Sequence, residues 1–134
     1  ADPDRAYKRF SESRIPIGKL LMEQSVVAGI GNIYRTELLW RQSIHPDTAG
    51  REITRRQFES LWADAKTLLA LAVQRDAIIT VDDAPARPRA GERLNIFSQK
   101  ETCPACAGPI DPLTINGRRA FVCTSCQPIV QNEQ

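Results

Sequence analysis

All four cysteines of this 134-residue chain fall between Cys103 and Cys126, as two C-x-x-C pairs separated by sixteen residues. Two thiolates spaced in this way sit on one tight turn with both sulfurs facing a common centre. Two such turns complete a tetrahedral S4 cage, the donor set that suits zinc best. Cys103, Cys106, Cys123 and Cys126 are therefore the candidate ligands of one metal ion. The intervening residues are enough for a β-hairpin that returns the second pair to the first. Two disulfides would use the same cysteines, but the chain opens on no signal peptide and the paired spacing is uncommon in disulfide scaffolds. Iron also accepts an S4 site, yet nothing here suggests redox work. Four thiolates leave no open coordination position, so the metal is expected to hold structure and not to activate water.

A second stretch with chemical content is Gly29-Ile30-Gly31-Asn32. It separates two helical patterns. Glycines at 29 and 31 allow positive φ and close backbone approach, and Asn32 stands where an N-cap belongs. A helix opened by such a turn presents free N–H groups, which make an anion site. A tight connection between packed helices explains the same residues without a ligand. The turn is neither a Walker loop nor a dinucleotide fingerprint, because the preceding strand and the third glycine are missing. Inside the cysteine stretch, Asn116-Gly117 is a two-residue hairpin signal between Leu113–Ile115 and Arg119–Val122, which puts Arg118 at the tip or just past it. A positive, rigid tip of this kind can reach phosphate.

The remaining candidates carry less. His45 precedes a proline and is expected to be a loop or packing residue. Trp40 and Trp62 lie on apolar helix faces and are expected in the core, and Arg55-Arg56 reads as a solvated helix start. The acidic residues form no close pair suited to acid–base work, and no serine–histidine constellation occurs. No catalytic residue is assigned.

The elements that must position these groups are mostly helical. Residues 1–14 suggest a short helix with Asp4 as cap and Tyr7 and Phe10 on one face. A second helix is expected from Ile17 to Gly29, and a third from Asn32 through Trp40, ended by His45-Pro46-Asp47. Thr54 with Gln57 forms a capping box, after which Phe58, Leu61, Trp62, Ala65, Leu68, Leu69 and Ala72 recur at helical spacing to about residue 75. The Pro-rich, charged residues 82–93 read as a mobile linker. An apolar content of 42% with 25% charged residues is typical of a soluble globular protein, and no apolar run approaches membrane-spanning length. The net charge is only +2, but fourteen of the eighteen basic residues are arginine, whose planar fork suits phosphate.

Taken together, IPIGKLLMEQSVVAGIGNIYRTELLWRQSIHP, the long helix and C-x2-C-x16-C-x2-C ending in Cys126-Gln127 resemble the C-terminal half of the formamidopyrimidine-DNA glycosylase/endonuclease VIII family. Arg35 leans toward the endonuclease VIII side. The resemblance implies a mainly α fold, a helix–two-turn–helix bundle followed by a small zinc-bound β-hairpin finger. It divides the chain into a helical DNA-binding domain at 1–81, a linker at 82–97 and a four-cysteine zinc finger at 98–134. It further implies that Asn32, with Gly29 and Gly31, and Arg118 contact DNA phosphate. Departures are also visible. Gly18 stands where many members carry a lysine, with Lys19 shifted by one, and Ala107 stands where a glycine is usual. The segment before the finger lacks the usual Tyr-Gly-Arg run. The family's catalytic N-terminal proline and its neighbouring glutamate are not found in ADPDRAY, so the chain is expected to be a piece of something longer and inactive alone.

The expectation is thus the DNA-binding portion of a base-excision-repair glycosylase/AP lyase. It would be a cytoplasmic, nucleoid-associated monomer with one structural zinc, holding duplex DNA by its backbone, with repair proteins as further partners and no membrane. The alternative is a zinc-ribbon interaction module that docks a protein partner.

Overall fold

The computed structural model describes residues 2–23, 31–97 and 101–129. Helix α1 spans Pro3–Ser11, α2 Ile17–Leu20, α3 Asn32–Arg41 and α4 Arg55–Arg75; β1 (Asp111–Ile115) and β2 (Arg118–Val122) follow. None of the described helices is long and apolar enough to cross a membrane.

Asp2, not Asp4, caps α1. Pro3 occupies the first turn, where its missing N–H costs nothing, and the Asp2 side chain accepts from the Asp4 amide at 3.0 Å. Helix α2 ends at Leu20, well short of the expected Gly29. Its last amides turn tightly, with Met22 N donating to Lys19 O and Glu23 N to Leu20 O, so that Leu20 and Leu21 both enter the core. Gln24–Ile30, including Gly29, lie outside the described residues. Helix α4 starts as expected on the Thr54/Gln57 capping box and ends at Asp76 in the left-handed conformation.

Helices α1 to α4, with Ile44 and Ile53 from the connection between α3 and α4, share one apolar core. Phe58 is its centre: the Phe10 ring meets it edge-on at 5.3 Å, Tyr7 lies at 5.3 Å and Trp62 at 5.6 Å. Trp62 is partly buried and packs against this core, as its apolar face suggested, whereas Trp40 is partly buried and turns its indole nitrogen to the finger. The Arg55 guanidinium is exposed but paired, to Asp4 and Glu59, and stacks over Tyr7. Residues 82–93 run through turns into a 3-10 helix at Ala90–Glu92. Arg75 donates to Ala86 O at 2.9 Å, and Thr80 N and Val81 N both donate to Arg93 O.

In the finger, β1 and β2 pair antiparallel from Asp111–Val122 to Ile115–Arg118. Asn116 and Gly117 both have positive φ, 50° and 75°, as a type I′ turn requires. The hairpin packs on α3, and Ile115 presses against Gly18, where an added Cβ would lie 2.9 Å from both Ile115 Cδ1 and Pro46 Cβ. Ile115 and Pro46 thus fill the space a lysine side chain would leave from.

Candidate metal centre and nucleic-acid interface

The two C-x-x-C turns bring all four Sγ atoms within 4.8 Å of one another. Cys103 Sγ lies 3.9 Å from Cys126 Sγ, and Cys106 Sγ lies 3.5 Å from Cys123 Sγ. A tetrahedral zinc with bonds of about 2.3 Å needs sulfurs about 3.8 Å apart, so the donor set fits that ion. All four are free thiols. The first turn closes through Ala107 N to Cys103 O, 2.8 Å, and Gly108 N to Cys106 Sγ, 3.3 Å. Ala107 adopts φ 63°, a conformation that suits glycine; the alanine there carries a strain of about 1–2 kcal/mol.

The thiols differ in ease of ionisation. Burial pushes Cys103 up, but the Trp40 indole N–H and the amides of Ala105 and Cys106 outweigh it and bring the thiol to about 7. Cys126 is pushed up to about 12, first by the Cys106 thiol and then by burial, and burial also raises Cys123. Four thiolates crowded together repel one another; a divalent cation at their centre removes that penalty.

At the N-terminal end of α3, Gly31 is the N-cap, with extended backbone at φ −105°, and Asn32 is the first helical residue. Asn32 is therefore not the cap the sequence suggested, and Gly31 needs no positive φ. A Cβ at Gly31 would meet nothing within 4 Å, and among the described residues no side chain caps the helix. The Asn32 side chain instead spans two regions. Its Nδ2 donates to Arg119 O on β2 at 2.7 Å, and its Oδ1 accepts from Arg35 Nη2. Arg118, the first residue of β2, is exposed. Burial pushes the Arg35 guanidinium down and the charge of Arg118 adds to it, so a buried and an exposed cation lie near the same turn.

Three residues escaped the sequence. Arg35 is 1% exposed although it alternated with apolar neighbours; it donates to Gly18 O at 3.2 Å. Glu37 is wholly buried. Its carboxylate accepts from the amides of Asn95, Ile96 and Phe97 at 2.6, 2.8 and 3.0 Å, from Asn95 Nδ2 at 3.1 Å and from the Thr80 hydroxyl. Gln127, also wholly buried, accepts from Cys123 N and donates to Ile44 O, each at 2.9 Å. No local pattern marks the partners of Glu37, which lie 43 to 60 residues away in the chain, or the Ile44 carbonyl, 83 residues from Gln127. His45 is a packing residue, as expected: it is buried, and its Nδ1 accepts from Asp47 N at 3.0 Å.

A mainly helical unit joined through Asn32 to a two-stranded hairpin with four clustered cysteines fits the fold of a helix–two-turn–helix protein with an appended finger. Residues 1–83 match the family described as Formamidopyrimidine-DNA glycosylase H2TH domain, and the chain belongs to that family. Endonuclease 8 1 of Mycobacterium tuberculosis is 38% identical over 137 residues, which cover 95% of this chain and 50% of that protein. The chain spans about half the length of the curated relatives it matches. The crystal structure of the MutM (Fpg) protein of Thermus thermophilus superposes with a TM-score of 0.79 at 28% identity, over 97% of this chain and 51% of that one. The Lactococcus lactis Fpg solved in complex with DNA containing an abasic site gives 0.79 at 25% identity, over 94% and 47%.

Proposed function

We propose that this chain is the DNA-holding part of a base-excision DNA glycosylase/AP lyase, gripping duplex DNA at its phosphates through the Gly31-Asn32 turn and Arg118. One zinc ion held by Cys103, Cys106, Cys123 and Cys126 keeps the finger in shape. The observation that carries the reading is the bond from Asn32 Nδ2 to Arg119 O. It joins residues 87 apart in sequence and sets the N-terminus of α3 beside the arginine-bearing strand. A solved relative in complex with DNA containing an abasic site, of which this chain covers 47%, supports a DNA-holding role. Helix amides and a guanidinium suit phosphate oxygens, and a grip made on phosphates alone is independent of sequence.

Salt-titrated binding of the chain to a short duplex tests this. Arg118→Ala is expected to lower the slope of log affinity against log salt by about 0.9, one phosphate's worth of released counterions. Asn32→Ala removes a neutral donor, so it should weaken binding about tenfold with the slope unchanged. No affinity at low salt would remove the DNA assignment and favour a protein-docking module. Equal slopes for wild type and Arg118→Ala would remove Arg118 from the grip.

A further inference from the structure

The last turn of α3 reaches the metal centre. Trp40 Nε1 lies 3.3 Å from Cys103 Sγ with its N–H directed at the sulfur, and these residues are 63 apart in sequence. We infer that Trp40 is a positioning residue of the metal centre, whose indole N–H holds the Cys103 thiolate and couples metal retention in the finger to the helical unit. The inference rests on the reading of the four cysteines as a metal site.

Three features support it. The indole nitrogen is a donor only, and a tryptophan used as packing alone gains nothing by aiming that nitrogen at a sulfur. Four thiolates around a divalent cation leave excess negative charge on sulfur, which N–H donors relieve; outer partners of this kind orient ligands and tune the metal's hold. On the finger itself, Gly108 N serves Cys106 in the same way at 3.3 Å and the amides of Ala105 and Cys106 serve Cys103, to which Trp40 adds a donor from α3.

Trp40 is also held rigidly. Its neighbour Arg41 donates to both carboxylate oxygens of Asp64 at 2.8 Å and to Thr80 O at 2.6 Å, which fixes the end of α3 against α4 and the following chain. Asp64 accordingly raises the pKa of Arg41, so the clamp stays charged.

The attachment is one-sided. Cys103 and Cys123 are buried, and each is fastened to the helical unit, Cys103 by Trp40 and Cys123 through Gln127 to Ile44 O. Cys106 is exposed and Cys126 half-buried. Trp40 therefore acts on the inner half of the cage, where a ligand is shielded from water and from competing chelators.

The test uses the full chain loaded with zinc, and separately with cobalt as a spectroscopic substitute, and measures one metal per chain and its transfer to a chelator. Trp40→Phe should weaken metal affinity about 10- to 100-fold, the range for loss of an outer-shell partner. It should also move the sulfur-to-cobalt charge-transfer bands to lower energy, because a thiolate without its donor gives up an electron more easily. Placing benzothienylalanine at position 40 keeps the bulk of the ring and replaces the N–H with sulfur, so it should reproduce both effects. If that isostere leaves affinity and bands as in the wild type, the hydrogen bond does nothing for the metal and the inference is overturned, even where Trp40→Phe fails to fold. A wild-type chain that takes up neither zinc nor cobalt would instead overturn the metal reading itself.

Discussion

Helices α1, α3 and α4 bury Phe10, Leu38 and Phe58 in one continuous apolar core, whereas the described part of the finger buries Ile115, Ala120 and Val122 beside its two inner cysteines. The first region gathers enough apolar surface to hold itself; the second, a two-stranded hairpin with flanking turns, does not. What replaces a core in the finger is a set of directed bonds. Four sulfurs converge on one point, and Asn32, Trp40 and Gln127 tie the hairpin to α3 and to the loop after it. The helical unit thus depends on area and the finger on geometry, and agents that attack one should spare the other.

Removing the proposed metal is the hardest blow to this contrast. Structural zinc supplies on the order of 10–16 kcal/mol in small fingers, so a chelator is expected to unfold the finger while the helical signal in far-UV circular dichroism persists. Amide exchange should show protection lost from Cys103 to Gln127 and kept along α4. Acid should act in the same direction. The metal-free Cys126 thiol sits at about 12, so binding must displace protons and affinity falls as pH falls. Helices that melt together with the finger would show that the two regions are one cooperative unit.

Phe58→Ala strikes the other region. The ring is 1% exposed and touches Tyr7, Phe10 and Trp62, so truncation should cost about 3–5 kcal/mol. Urea unfolding followed by circular dichroism measures it. The zinc affinity of the variant should stay within a few-fold of wild type under conditions where it folds. A matching loss of zinc affinity would erase the distinction between core-held and metal-held regions.

The same contrast decides what could be read in the chain beforehand. Periodicity exposed α4 and its face of Phe58, Leu61, Ala65 and Leu68, because area is a local pattern repeated along one helix. Cysteine spacing exposed the cage, and Asn116-Gly117 exposed the hairpin, because tight turns need particular residues at fixed offsets. The bonds that join the regions left no such trace. Glu37 looked like one polar residue among alternating neighbours, and its buried state depends on amides more than fifty residues downstream. Trp40 looked like core because the sequence shows apolar character and not which way a ring nitrogen points. Asn32 was singled out by its turn, yet its bonds to Arg119 and Arg35 follow from the packing of the finger on α3.

Glu37→Gln tests the connection with the smallest expected change in stability. One carboxylate oxygen accepts from the amides of Ile96 and Phe97, the other from Asn95 and Thr80. An amide can present only one oxygen, so either orientation turns an N–H2 donor toward backbone N–H groups that are themselves donors. Bonds to a charged acceptor contribute about 1.5–3 kcal/mol, and the loss should fall in that range, because part of the set survives on the remaining oxygen. The substitution keeps the shape of the side chain, so the core around Phe58 stays packed. The expected signature is faster amide exchange at Asn95, Ile96 and Phe97, with α4 unchanged and zinc still bound. Phe97 meets Phe121 of β2 edge-on at 5.4 Å, so freeing it should also loosen that strand. Unchanged exchange at these three amides would show that they are held by packing, and Glu37 would no longer count as the joint between the helices and the segment leading into the finger.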